Sequence, residues 1–176
     1  MSLETDRLEN ILIRSAIPKD VDEIRRLVLD HGTTQWNCFP RKDLEKHLVS
    51  IASGTDHALL AFNGSMLVGM VSFTIGSFYS EYESVTSKQE PTGYVVEALI
   101  HSDFAKRGIG TQLLERAKAV LTEKGVSSIY AKRHEENRAS EALMRKTGFQ
   151  LIDVFPDPCR TSGSCRTAIE RFSVKS

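Results

Sequence analysis

The ten residues Ala105-Lys106-Arg107-Gly108-Ile109-Gly110-Thr111-Gln112-Leu113-Leu114 limit what this chain can fold into more than any other stretch. Before them runs Val95-Val96-Glu97-Ala98-Leu99-Ile100, apolar but for one carboxylate, which predicts a buried strand. After them Ile109, Leu113, Ala117, Val120 and Leu121 recur at near-helical spacing, with Glu115, Arg116, Lys118 and Glu123 on the other face. A strand, a basic glycine turn and a helix in that order gather several free backbone N–H groups at one point. The helix dipole adds about half a positive charge there. Such a point binds phosphate. At Gly108 and Gly110 a side chain would hold the anion away from the backbone.

Spacing narrows the ligand. A dinucleotide fingerprint needs a third glycine three residues after Gly110, where Leu113 stands, and a Walker loop needs a Gly-Lys-Ser/Thr run that Gly110-Thr111 does not provide. A tight turn into a helix, with no ligand at all, is the plainer alternative.

At 176 residues the chain is long enough for one domain, 1–176, with a sizeable core. Lysine plus arginine equals aspartate plus glutamate at 23 each, so no general attraction to nucleic acid or to an acidic membrane is expected. Glu4 and Asp6 break the opening residues and no long apolar run accompanies them, so neither a signal peptide nor a membrane helix is expected. The expected compartment is cytoplasmic. Cys38, Cys159 and Cys165 have no metal-ligand spacing, which leaves no metal expected, and reduced thiols are the default. A Cys159–Cys165 bridge across a hairpin is the alternative.

Along the chain, Ile11 to Arg14 predicts a first strand, Pro18 a helix start and Gly32 its stop. Pro40 opens a second helix with Leu44, Leu48 and Ile51 on one face, ending near Gly54. His57–Phe62 and Leu67–Ile75 predict strands joined through Asn63-Gly64, a hairpin signal. Ser77 to Gly93 is polar and reads as loop. Beyond the long helix, which Gly125 closes, follow a strand at Ser128–Lys132 and a short helix from Asn137 stopped by Gly148. A final antiparallel pair is expected over Phe149–Phe155 and Arg166–Val174. The class is mixed α/β.

Two segments, in order and suitably separated, resemble the GNAT superfamily of N-acetyltransferases. Ala105-Lys106-Arg107-Gly108-Ile109-Gly110 is similar to its Arg/Gln-x-x-Gly-x-Gly/Ala acetyl-CoA motif, and Asn137 to Phe149 to its Asn-x-x-Ala/Ser…Gly-Phe signature. The element order from about Ile11 to Val174 agrees. The resemblance implies a central twisted mixed sheet of about six to seven strands with about four helices. It further implies acetyl-CoA as co-substrate. Backbone amides of Lys106, Arg107, Gly108, Ile109, Gly110 and Thr111 would hold the pyrophosphate. Ala98, Leu99 and Ile100 would line the pantetheine arm, and Asn137 would hydrogen-bond the cofactor. Two positions depart from the pattern: Ala105 replaces the Arg/Gln, and Met144 stands where a tyrosine often protonates the leaving thiolate. Homodimers are common in such families, yet no interface is legible.

Acetyl transfer to an amine needs a neutral, aligned amine, and amines like that of lysine are protonated at pH 7. Glu97, mid-strand in apolar company, is the first candidate base, with a structural ion pair as the alternative. His134 is the second, its alternative a solvated loop histidine, and His101 a third; a regular strand puts Glu97, Leu99 and His101 on one face. The acceptor pocket should come from the loops Trp36–Phe39, Phe78–Tyr82 and Asp157–Ser164, where Trp36, Phe78, Tyr79 and Tyr82 either form an aromatic wall or simply pack. Asp157, Glu81 and Glu83 either meet a cationic amine or are solvated, and Cys38 or Cys159 would be the carrier if an acetyl-enzyme formed. The expected reaction is direct transfer to a primary amine of a small molecule, an amino-acid-like compound or a peptide. The alternative is a non-catalytic acyl-CoA-binding module.

Overall fold

A computed structural model describes residues 11–37, 40–85 and 87–174. Glu4, Asp6, Cys38 and Phe39 lie outside the described residues.

Among the described residues seven strands form one sheet in the order β1-β2-β3-β4-β5-β7-β6. They are β1 (Ile11–Ser15), β2 (His57–Asn63), β3 (Met66–Gly76), β4 (Thr92–Ile100), β5 (Ser128–His134), β6 (Gln150–Pro156) and β7 (Arg166–Ser173). All neighbours are antiparallel except β4 and β5. Four α-helices accompany them among the described residues: α1 (Val21–His31), α2 (Arg41–Ser53), α3 (Ile109–Glu123) and α4 (Arg138–Lys146). The expected mixed α/β class, strand count and helix count are those of the molecule. Boundaries moved in places. Pro18 opens a single 3-10 turn before α1, and the β2–β3 hairpin turns on Gly64-Ser65.

The sheet separates two apolar layers. On one face Ile24, Leu27 and Val28 of α1 and Leu44, Leu48 and Ile51 of α2 pack on Leu60, Met70 and Leu99. On the other, Ile109, Leu113, Ala117 and Leu121 of α3, with Met144 of α4, pack on Val71, Phe73, Val95 and Ile129. Each large buried aliphatic side chain contributes roughly 1.5–3 kcal/mol. Gly69 permits the close approach of α3: a Cβ there would lie 2.7 Å from Ile100 and 3.1 Å from Leu113.

Two irregularities of β4 create the site. Its parallel ladder with β5 spans only Gly93, Tyr94 and Val95, opposite Ile129, Tyr130 and Ala131, after which the strands part. Against β3, Val95 faces Phe73 while Glu97 faces Ser72, so Val96 is an extra, bulged residue. Val95 therefore belongs to the α3 side, whereas Glu97 and Leu99 lie on the side of α1 and α2, with Tyr94. Tyr130, Lys132 and His134 of β5 share that second face, since Tyr130 is the ladder partner of Tyr94.

Candidate active site

Where β4 and β5 part, a cleft of about 640 Å³ opens through the sheet, within the usual size for small-molecule and cofactor sites. Val95 to Ile100 form one wall, Ala131 to His134 the other, and Asn137 to Ser140 with Leu143 and Met144 close the α4 side. The α1–α2 loop brings Thr34, Trp36 and Asn37, and the β6–β7 loop brings Arg160.

The β4 edge facing the cleft is open. The His101 N–H bonds to the Val68 carbonyl at 2.9 Å, so by strand alternation the N–H of Leu99 also faces β3, and those of Ala98 and Ile100 face the cleft. The Ala98 N–H is already bonded to Glu97 Oε1 at 3.1 Å. That leaves Ile100 as the free donor of the three.

Ala105 stands at the lip of the cleft, and Lys106 to Thr111 continue beyond it. Lys106 (φ 61°) and Gly108 (φ 82°) both take left-handed backbone, which curls the chain into α3. A Cβ on Gly108 would meet nothing within 4 Å, so the glycine is needed there for its conformation rather than for space. The first internal bond of α3 runs from the Gln112 N–H to the Gly108 carbonyl, leaving the amides of Ile109, Gly110 and Thr111 without helical partners. Ile109 itself is buried, so only its backbone is offered. A Cβ on Gly110 would sit 3.6 Å from Leu143 and 3.7 Å from Ile100, both cleft residues, so the helix start abuts the cleft. Asn137 caps α4, its Oδ1 accepting from the Ser140 N–H at 3.1 Å; its amide N–H2 is the group left for a ligand. Free amides at a helix start, an open strand edge and a cleft joining them fit a long cofactor with a pyrophosphate at one end and amides along its arm.

Glu97 sits in the cleft. Asn37 Nδ2 donates to its Oε2 at 3.0 Å and Oε1 at 3.3 Å, and no cation pairs with it among the described residues. Burial pushes its pKa above the ordinary carboxylate value, and the bonds from Asn37 and Ala98 only partly oppose this. The structural ion pair considered from sequence is not what holds it.

His134 is buried with both ring nitrogens engaged. Nδ1 accepts from the Glu136 N–H at 3.1 Å, so Nε2 carries the proton and donates to the Ser162 carbonyl at 2.8 Å. Trp36 stacks on the ring with centroids 4.7 Å apart. His134 is thus a clamp between loops rather than a solvated histidine. His101 Nδ1 accepts from the Asp103 N–H at 3.2 Å and its ring stacks on His31 at 3.9 Å. His31, not His101, lines the cleft.

Two of the three expected loops converge on the cleft. Arg160 Nη1 donates to the Trp36 carbonyl at 2.9 Å and Ser162 Oγ to that of Gln35 at 2.5 Å. The aromatic wall reduces to Trp36. Phe78 and Tyr79 instead pack on Tyr94 and Tyr130, while Tyr82 donates to Asp153. Glu83 accepts from the Tyr130 hydroxyl, and Asp157 from Thr167 Oγ1 at 2.7 Å. Cys159 and Cys165 are free thiols outside the cleft lining, so the hairpin bridge is not formed. No cluster of potential metal ligands occurs among the described residues, and no described helix is long and apolar enough to cross a membrane.

Residues 21–149 match the model of the Acetyltransferase (GNAT) family. The chain belongs to this family. GNAT enzymes use acetyl-CoA as acetyl donor, which agrees with the fit of the cleft. No curated protein sequence matches the chain. Among solved structures, an N-acetyltransferase from Staphylococcus aureus Mu50 superposes with a TM-score of 0.73 at 19% identity, covering 94% of this chain and 99% of that one. Arabidopsis thaliana NAA60 in complex with acetyl-CoA gives 0.73 at 14% identity, with coverage of 94% and 99%. A GNAT-family acetyltransferase from Streptococcus pneumoniae gives 0.69 at 19% identity, with 94% and 100%. At such identities the likeness is one of fold. Against the GNAT pattern, Met144 is buried beside the cleft and Ala105 is exposed at its lip.

Proposed function

We propose that the chain transfers the acetyl group of acetyl-CoA directly to a primary amine of a small or amino-acid-like molecule, with Glu97 as general base. The observation that carries this reading is the setting of Glu97: a carboxylate in the cleft with no cation paired to it among the described residues, three residues from the open N–H of Ile100. Lys106 to Thr111 would hold the pyrophosphate, Ala98 to Ile100 the pantetheine arm, and the Asn137 amide a further polar group. Bound there, acetyl-CoA supplies a thioester carbonyl as electrophile.

Glu97 takes the proton that the acceptor ammonium must lose before its nitrogen can attack. A raised pKa brings the carboxylate nearer to the amine in basicity, the direction that favours this transfer. Asn37 orients the carboxylate through two hydrogen bonds, and the His134–Trp36 stack seals the acceptor half behind it. His134, with Nδ1 occupied, serves as a positioning residue in this reading. Met144 has no proton to give, so the chain contributes no general acid there. Cys159 and Cys165 lie outside the lining, which supports direct transfer over a thiol carrier.

Met144 and Ala105 favour a second reading, an acyl-CoA-binding module without turnover. Calorimetry with acetyl-CoA, CoA, ATP and NAD, followed by an amine panel monitored by thiol release, separates the two. Selective CoA binding with turnover is expected. Binding without turnover of any amine would select the module, and no CoA binding would remove both.

A further inference from the structure

The acceptor half of the cleft holds more than the base. Lys132 lies on β5 one residue past Ala131, and Glu97 on β4 two past Val95, just where the ladder between those strands ends. Both line the cleft and both are on the face of α1 and α2. The Lys132 ammonium is exposed, 5.6 Å from the Tyr79 ring centroid, and makes no salt bridge among the described residues, though its field reaches Asp157. Arg160 enters from the β6–β7 loop, and its guanidinium is fastened from behind. Nε donates to Thr167 Oγ1 and Nη1 to the Trp36 carbonyl, each at 2.9 Å. The nearest acid is Asp157, 3.9 Å from Nε. That carboxylate is turned to Thr167 Oγ1 at 2.7 Å and the Cys159 N–H at 3.0 Å, and the Thr167 bond is the main reason its pKa lies low. Arg160 Nη2 has no hydrogen bond among the described residues.

The fields of both cations reach the Tyr94 hydroxyl. Burial drives its pKa up to about 12, and Lys132 and Arg160 each pull against that rise. Two cations thus stand near the half-buried Tyr94, which also feels Glu97, while Asp157 lies beside Arg160. A neutral or purely cationic acceptor would leave them with Asp157, itself turned to Thr167 and Cys159, as counter-charge. An acceptor with its own anion would use them.

We propose, on the basis of the N-acetyltransferase reading, that the acceptor is a compact amino acid whose carboxylate is bound between Lys132 and Arg160 while its amine meets Glu97. The carboxylate is the chemistry chosen because Glu97 and Lys132 stand on neighbouring strands just past their last ladder pair, Val95 with Ala131, and line one cleft. A compact molecule in that cleft can present an amine to β4 and a carboxylate to β5. A peptide N-terminus, whose first residue has no free carboxylate, would satisfy only half of this arrangement.

Non-reacting product analogues test the proposal without relying on turnover. Calorimetry on the CoA-saturated protein compares N-acetyl amino acids with small, aliphatic, aromatic and basic side chains, each beside its own primary amide. At least one acid is expected to bind about tenfold or more tightly than its amide, the scale of hydrogen bonds to charged groups. Lys132→Met is expected to erase that preference and leave CoA affinity unchanged. Acids and amides binding alike, or not at all, would overturn the proposal, as would a preference that Lys132→Met does not move. Free amino acids are then offered with acetyl-CoA and thiol release is followed. A carboxylate preference without turnover supports the anion site and removes acetyl transfer alone.

Discussion

Glu97 pays for its place in the cleft with a carboxyl group whose protonated form the fold prefers. A carboxyl with a folded pKa above its unfolded value binds more protons when folded. Its contribution to stability is therefore present at low pH and lost as pH rises from the ordinary carboxylate value through the folded one. Glu97→Gln, neutral throughout, is expected to raise Tm at pH 8 and to match the native protein near pH 4. The same change is expected to lower kcat by roughly a hundredfold, leave acetyl-CoA affinity intact and abolish the rise of rate with pH. A lower Tm at pH 8 would make Glu97 a structural carboxylate, and an unchanged rate would take the base role from it. Its location in an apolar run was legible in the sequence. Its partner was not, because Asn37 lies sixty residues earlier and meets it only through the path of the α1–α2 loop.

At the scale of elements, most boundaries were legible because glycine, proline and apolar period mark them. The strand at Thr92–Tyr94 was not, since Pro91 and Gly93 imitate a loop there. Pairing with Thr74, Ile75 and Gly76 on one side and with Ile129 and Tyr130 on the other makes it strand. The turn before α3 was legible in full, and it carries its own test. Replacing Lys106 and Arg107 with alanine is expected to weaken CoA more than a short pantetheine thioester, measured side by side by calorimetry. Equal loss would move the pyrophosphate elsewhere. In α2, His47 lies on the same face as Leu44, Leu48 and Ile51, where its ring joins the helix to the sheet. Nε2 meets Ser72 Oγ at 2.8 Å and Nδ1 meets Asp56 at 3.1 Å. Burial outweighs Asp56 and lowers the His47 pKa. The unfolded chain therefore takes up a proton first as pH falls below about 6.5, and stability is lost from there down to the folded pKa. Thermal melts at pH 7.5 and 5.5 are expected to show that drop, shallower in His47→Asn. The substitution itself is expected to cost about 1–3 kcal/mol at pH 7.5 by leaving a buried hydroxyl unpaired.

Across the whole molecule, the cleft is a gap in a sheet that otherwise binds two separate apolar layers together. A ligand that fills it ties β4 to β5 and α3 to α4 and has no counterpart in the unfolded chain. Acetyl-CoA at a hundred times its Kd is expected to add about 2.7 kcal/mol, or roughly 5–11 °C in Tm for a domain this size. ATP and NAD are expected to add much less, and equal shifts from all three would argue against a CoA-shaped site. The loops of Trp36 and Arg160 were expected at the acceptor pocket, but the contacts that hold them there, and the place of Lys132 beside them, were the least legible part of the site. It depends on contacts across more than a hundred residues, such as that of Arg160 with the Trp36 carbonyl. No periodicity or local motif encodes a contact of that range.

The extra residue at Val96 gives the sheet a parity. Glu97 is three chain steps from Tyr94, but Val95 and Val96 together oppose Phe73 and count as one, which keeps the carboxylate on the side where an amine can arrive. Straightening the bulge, with Val96 paired like its neighbours, would aim Glu97 into the oily layer beneath α3, whereas deleting Val96 would leave Glu97 on its present face in a regular strand. Whether this scaffold can be chemically active on a given face is in this sense a matter of counting, since one residue, paired or bulged, decides which side of the sheet receives the carboxylate.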